Sequence, residues 1–350
     1  EVTLMSQSEH YAPPPTPTPT TGEPGLNLVG EYTGTDIGNP NDIFVEGNYA
    51  YVASSHSDEG LFVFDVSDPT DPSIVGSYVP NDTDIIDWAE YVFVDNGYAY
   101  LTGRDSDNLL IIDVSDPTDP QLTYNYQPGT FTLQYPKEVF VDGNYVYLSS
   151  ANSHGYDGGF LIIDITDPSA PVLVEDYHPG RDVLFPPHSN FVANDYAYIC
   201  GGEDNLVILD VTDPTDFSLV ENYIPGTSYL DWDRDVYVEG DYAYMTGGYS
   251  DNLLIINIST PSNPTIVGEY DPNDEDLLNQ PDHFHVDSGY AYIIGSQSDT
   301  LLIVDLSDLS DPQLVESLSM YDPRHIFVAN GYAYVTEAYS PAKLSIFDLY

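Results

Sequence analysis

From residue 26 onward, short apolar runs alternate with polar turns at a spacing too tight for helices. Ile43-Phe44-Val45 is followed by a Gly-Asn turn and then by Tyr49-Ala50-Tyr51-Val52-Ala53. About ten residues further on comes Leu61-Phe62-Val63-Phe64-Asp65-Val66, and after an Asp-Pro turn Ile74-Val75-Gly76-Ser77-Tyr78. Tyr, Val and Ile fill these runs, as a pleated and half-buried surface favours. No segment carries a helical period. The unit predicts four strands, a to d: Ile43–Val45, Tyr49–Ala53, Leu61–Val66 and Ile74–Tyr78.

The unit repeats. A Tyr-x-Tyr triplet starts at residues 49, 98, 145, 196, 242, 290 and 332, a spacing of 42 to 51 residues. Four short strands in a repeat of this length mark a β-propeller blade. The seventh unit ends at Phe347-Asp348-Leu349-Tyr350, inside strand c, and lacks a strand d. Leu28-Val29-Gly30-Glu31-Tyr32 matches the strand d Ile266-Val267-Gly268-Glu269-Tyr270. This first segment is therefore expected to complete the last blade, closing the ring and removing the edges of an open array. The predicted fold is all-β: a seven-bladed propeller over residues 26–350, preceded by a tail of residues 1–25.

The units resemble the LVIVD-repeat family of β-propellers. The resemblance rests on Leu109-Leu110-Ile111-Ile112-Asp113-Val114-Ser115-Asp116-Pro117 and its counterparts, each following a Tyr-x-Tyr strand. It implies an exported or cell-surface protein of a prokaryote and leaves the biochemical role open.

Composition narrows the partners. The chain has 58 acidic and 6 basic residues, a formal net charge of −52. Phosphate recognition needs Lys and Arg, so nucleic acid and anionic membrane surfaces are excluded as expected partners. No stretch is long and apolar enough to span a bilayer as a helix. A single cysteine, Cys200, rules out an internal disulfide; it ends a strand and is expected to pack rather than react. Glu1-Val2-Thr3-Leu4 lacks the basic, apolar start of a signal peptide and reads as a processed N-terminus. The expected location is extracellular or at the cell surface.

Propeller geometry puts the d–a and b–c connections on one face and the a–b and c–d turns on the other. The c–d turns carry Asp68 and Asp71, Asp116 and Asp119, Asp213 and Asp216, and Asp308 and Asp311. Carboxylates are ligands for calcium, but Asp before Pro also closes turns by accepting backbone N–H groups. The fifth unit carries Asn257 and Thr260 where the others have Asp at the end of strand c and at the start of the turn, so neither charge is required. The expectation is turn chemistry with weakly condensed calcium, and no specific metal site or other cofactor.

The d–a loops carry Ile85, Ile86 and Trp88; Phe131, Leu133 and Tyr135; Leu184 and Phe185; Tyr229, Leu230 and Trp232; and Leu277 and Leu278. These are expected to pin each loop to its blade in a small apolar cluster. A sugar stacked on the equivalent Trp88 and Trp232 is the functional alternative.

Two residues before the apolar triplet of strand a stand Asn41, Glu90, Lys137, His188, Arg234, Asp282 and Arg324; the next positions hold Asp42, Tyr91, Glu138, Ser189, Asp235, His283 and His325. They should ring the channel mouth, where half of all Lys and Arg collect. The ring reads either as salt bridges between blades, such as Lys137 with Glu90 or Arg324 with Asp282, or as a site for an anionic or carbohydrate ligand. Strand alternation assigns His285 to the core. Templates for catalysis, such as a Gly-rich phosphate loop, a nucleophile elbow or a zinc helix, are absent from the sequence. The chain is therefore expected to bind or build rather than catalyse.

In the tail, Val2, Thr3, Leu4, Met5 and Ser6 alternate like a strand. Pro13 to Thr21 is a polyproline-II spacer spanning roughly 28 Å at about 3.1 Å per residue. Thr16, Thr18, Thr20 and Thr21 suit O-glycosylation and Asn81 opens an N-glycosylation sequon. A strand added by Val2–Ser6 to the outer edge of a neighbouring propeller would give a head-to-tail contact, which propagates into a filament. The leading expectation is a self-assembling extracellular structural subunit.

Overall fold

The computed structural model describes residues 23–55, 60–80, 85–129, 132–151, 158–180, 182–201, 204–226, 229–338 and 340–350. Val2–Ser6, Thr16, Thr18, Thr20, Thr21, Asn81 and Phe131 lie outside them.

Among the described residues, seven antiparallel four-stranded sheets follow one another. Strand a, the innermost, is Asn39–Glu46, Ala89–Asp95, Pro136–Asp142, Ser189–Ala193, Asp233–Glu239, Pro281–Asp287 and Pro323–Ala329 in blades 1 to 7. Six blades are contiguous in sequence. The seventh is completed by Asn27–Gly34, which pairs with Ala342–Asp348 in the register Tyr32 to Leu344 and Gly34 to Ala342. Ring closure follows the sequence expectation.

Strands a and b of each blade meet strand a of the next. The second Tyr of each Tyr-x-Tyr triplet, as in Tyr100, Tyr147, Tyr198, Tyr292 and Tyr334, is fully buried between blades, while the first is half-buried. The glycine of strand d serves the same contact: a Cβ on Gly30 or Gly76 would strike the carbonyl of Pro69 or Pro117 in the c–d turn of the next blade.

Each outer strand also carries a β-bulge against strand c, for example at Val63/Phe64 and Ile111/Ile112. Bulges twist an edge away from further pairing. The loop clusters form as expected: Ile86, Leu133, Leu184, Leu230 and Leu278 are buried under the d–a loops. In the c–d turns, Asp68, Asp116, Asp167, Asp213 and Asp308 each accept the amide and hydroxyl of the Thr or Ser two residues on. Among the described residues no group of three or more His, Cys, Asp or Glu is placed to hold a metal ion. Cys200 is fully buried, and burial holds its thiol well above the usual range.

Candidate functional site

The seven inner strands enclose a central channel with a cavity of about 610 Å³. Its upper mouth is shaped by a β-bulge near the start of strand a, found in every blade except blade 4, as at Pro40/Asp42 and Asp233/Asp235. A bulge sets two residues against one on the partner strand. Two consecutive side chains can therefore turn toward the mouth, which simple alternation would forbid.

The outer tier of the mouth is a ring of ion pairs. Lys137 Nζ lies 2.8 Å from Glu90 Oε1, the pairing expected from sequence. Arg324 pairs with Asp322 at 3.1 Å, and Asp282 is taken instead by Arg234 at 3.4 Å. Arg104, from a b–c loop and not foreseen, reaches Asp105 at 2.9 Å and Glu90 at 3.9 Å, with its guanidinium 4.0 Å from the centre of the Trp88 ring. Trp232 packs beside Arg234, His188 and Tyr249. The tryptophan faces thus meet protein groups. Asn41 donates to the carbonyl of Ala89 in the next blade at 2.7 Å. Burial, then the charges of Arg234 and Lys137, lower the pKa of His188 to about 3, so it is neutral.

The loops under this ring hold strained backbone. Trp88, Tyr135, Trp232, Gln280 and Asp322 adopt φ of 48° to 60°, a region that bulky side chains seldom enter. The carbonyl of each accepts an amide from the b–c loop, as in Arg104 N to Trp88 O at 2.9 Å and Gly248 N to Trp232 O at 2.9 Å. For four of them an Asp of the preceding blade accepts the residue's own amide: Asp107 for Tyr135, Asp204 for Trp232, Asp251 for Gln280 and Asp299 for Asp322.

One step deeper lie Asp42, Tyr91, Glu138, Ser189, Asp235, His283 and His325. Asp42 accepts the amides of Ile43 and of Val92 in the next blade, both at 2.7 Å, and faces His325 Nε2 at 3.1 Å. Burial pushes its carboxyl up to about 7. Asp235 accepts Ser189 Oγ and Val236 N, each at 2.8 Å, and stands 3.6 Å from His283. Burial, then the charge of Asp235, raises Glu138 well above the carboxylate range. His283 stacks 4.4 Å from His325. Burial opposes its charged form, but Asp235, Asp282 and Asp42 outweigh that and raise His283, whereas burial and the charge of His283 keep His325 neutral.

Two residues further down, the channel wall is aromatic in every blade: Phe44, Phe93, Phe140, Phe191, Tyr237, His285 and Phe327. Neighbouring ring centres stand 4.7 to 5.3 Å apart, and Phe327 returns to Phe44 at 4.9 Å, closing a collar. Their interplanar angles of 47° to 57° match the about 51° between neighbours when rings lie parallel to a seven-fold axis. His285 belongs to this collar rather than to the sheet core: it lines the cavity, and burial lowers its pKa to about 4. The collar was not foreseen, although its signal, an aromatic in the middle of each strand a triplet, lies in plain sight.

At the lower mouth the same register gives Glu46, Asp95, Asp142, Glu239 and Asp287, with Ala193 and Ala329. Burial, then a neighbouring carboxylate, raises Glu46, Asp95 and Glu239. The channel as a whole can hold protons at its upper cluster and attract positive charge from below.

A sequence profile described as the LVIVD repeat matches residues 37–79, 88–128, 135–178, 191–224, 233–272 and 284–319. No curated protein matches the sequence. Solved structures share the fold at low identity. A protein from Lactobacillus plantarum is 11% identical, with a TM-score of 0.69 over 82% of this chain and 86% of its own. Hydrazine synthase of Kuenenia stuttgartiensis is 15% identical, with a TM-score of 0.69 over 90% and 97%. A chain of a mitotic checkpoint complex is 11% identical, with a TM-score of 0.70 over 93% and 95%. Likeness at these identities concerns the fold alone.

Proposed function

The chain belongs to the LVIVD-repeat family, and from that premise we propose that it is a non-enzymatic, extracellular structural subunit, joined to its neighbours by residues 1–25. The observation that carries this reading is the place of the closing strand. Asn27–Gly34 is the outermost strand of blade 7, so the preceding chain starts from the rim of the disc and not from the channel. Gly25 N still bonds to Leu349 O and Leu26 N to Glu316 of blade 6, both at 2.9 Å. The rim also offers partners: outer strands expose apolar residues, among them Leu28 at 56% and Val172 at 60%.

In this reading Val2–Ser6 pairs with the outer edge of a second propeller, along the part of strand d beyond its bulge. About five strand hydrogen bonds at roughly 1 kcal/mol each, and two or three apolar side chains at about 2 kcal/mol each, bias assembly without completing it. Propeller-to-propeller contacts supply the rest, and glycans on the Thr-rich spacer coat the polymer. The export that the family resemblance implies and the strong negative charge agree with an exterior location. The test is removal of residues 1–25, followed by electron microscopy and light scattering. Folded, dispersed propellers are expected; polymers identical to those of the full chain overturn the reading.

The enclosed channel favours a second reading, a surface ligand-binding module. An anionic or carbohydrate ligand at the mouth would have to displace the ion pairs of Lys137, Arg234 and Arg324. Replacing all three with Ala would abolish such binding while leaving assembly alone.

A further inference from the structure

Below the outer ring of ion pairs, the channel combines three further features. Carboxylates line it in two tiers, Asp42, Glu138 and Asp235 above the aromatic collar and Asp142, Glu239 and Asp287 below. Four residues along strand a separate the tiers, about 13 Å at about 3.3 Å per residue. No Lys or Arg is among the described residues that line the cavity. Finally, Glu138 Oε2 and His325 Nδ1 are enclosed without a hydrogen-bond partner, and both residues line the cavity.

An aromatic wall flanked by carboxylates is chemistry for an organic cation, because the rings accept apolar groups and their faces accept positive ones, while carboxylates fix the charged ends. An anion would meet carboxylates in both tiers. A bare divalent ion would leave the collar unused, and no ligating group of three is present among the described residues. A compact ammonium ion would reach one tier and not the other. Ring centres at the observed spacing stand about 5.6 Å from the axis, which leaves a bore suited to a slender chain.

We propose that the channel binds a linear aliphatic polyamine along the propeller axis, with methylene groups inside the collar, one ammonium group at the Asp42–Glu138 tier and another at the lower carboxylates. The raised carboxylates agree with this: burial and mutual repulsion disfavour their charge until a cation lies between them. The site differs in place and in ligand charge from the mouth ring, and it does not depend on assembly.

The test is calorimetric titration of the full chain with spermidine at about 0.15 M salt, where diffuse attraction to the acidic surface is screened. One saturable site per chain is expected, with no binding of an uncharged diol of equal length. Phe140→Leu with Phe191→Leu leaves the charge unchanged and should weaken the site about tenfold. Asp142→Asn with Asp287→Asn should weaken it similarly, whereas Asp71→Asn with Asp216→Asn removes the same charge from exposed turns and should change nothing. Thermal melting establishes that each variant folds; Glu138→Gln replaces the collar pair as the test if that pair does not, with a similar loss expected. Non-saturable binding, equal displacement by magnesium, or equal loss in the channel and turn variants overturns the proposal.

Discussion

Aspartate does opposite things at the rim of this propeller and on its axis. In the c–d turns, Asp68, Asp116 and Asp213 stand in water, and the hydroxyl and amide two residues on hold each carboxyl below its usual range. On the inner strands, Asp42 at the channel mouth and Asp233 between blades 4 and 5 are shut away from water, and burial drives both up to about 7 although backbone amides donate to them. The difference teaches that one side chain in two settings is two chemical groups. At the rim a carboxylate keeps its charge and shapes a turn. On the axis it holds a proton at mild pH, and its oxygens tie one blade to the next. The 58 acidic residues therefore do not form one uniform charge.

The largest effect should come from taking away an axial carboxylate. Asp235→Ala takes the acceptor from Ser189 Oγ and from the amide of Phe284, leaves the amide of Val236 with Ser189 Oγ alone, and removes the partner of His283. Buried polar groups left this way cost about 3 kcal/mol or more, read as a shift in the urea midpoint. Asp213→Ala, in a turn open to water, should lose several-fold less; equal losses would erase the contrast.

A smaller effect concerns pH. Asp42 and Asp233 bind their protons more tightly folded than unfolded, so the stability they contribute is complete below about pH 4 and lost as pH rises toward 7. The rim aspartates run the other way: their contribution exists above about pH 4 and fades as pH falls. Asp42→Asn with Asp233→Asn should flatten the decline between about pH 4 and 7 while leaving the acid limb in place. Urea midpoints measured across this range decide it. The smallest effect is Asp113→Asn, expected within about 0.5 kcal/mol. Blade 5 already performs this exchange, since Asn257 accepts Ser259 N at 3.0 Å and its hydroxyl at 2.7 Å, just as Asp113 accepts Ser115.

The blades were legible because repetition amplifies a weak local pattern seven times, and the missing strand d of unit seven announced its own replacement. The mouth residues were legible by alignment, but their partners were not. Arg234 reaches Asp282 across a blade boundary, and Arg104 arrives from a loop whose path depends on the left-handed backbone at Trp88. His285 misled because period-two alternation divides a strand into core and solvent, whereas an inner strand has a third neighbour, the axis. For the same reason Phe44 and its six counterparts looked like ordinary core. Only the closed ring sets them facing one another.

Closure by residues from both ends of the chain also dictates an order of events during synthesis. The ribosome makes Asn27–Gly34 before every other strand of the ring, and its partner strand Ala342–Asp348 after all of them. Six blades can form one after another as they appear, while the opening segment waits unpaired and the disc stays split. A chain halted anywhere before residue 342 has no way to lock, and the final seal waits until the seventh blade has emerged.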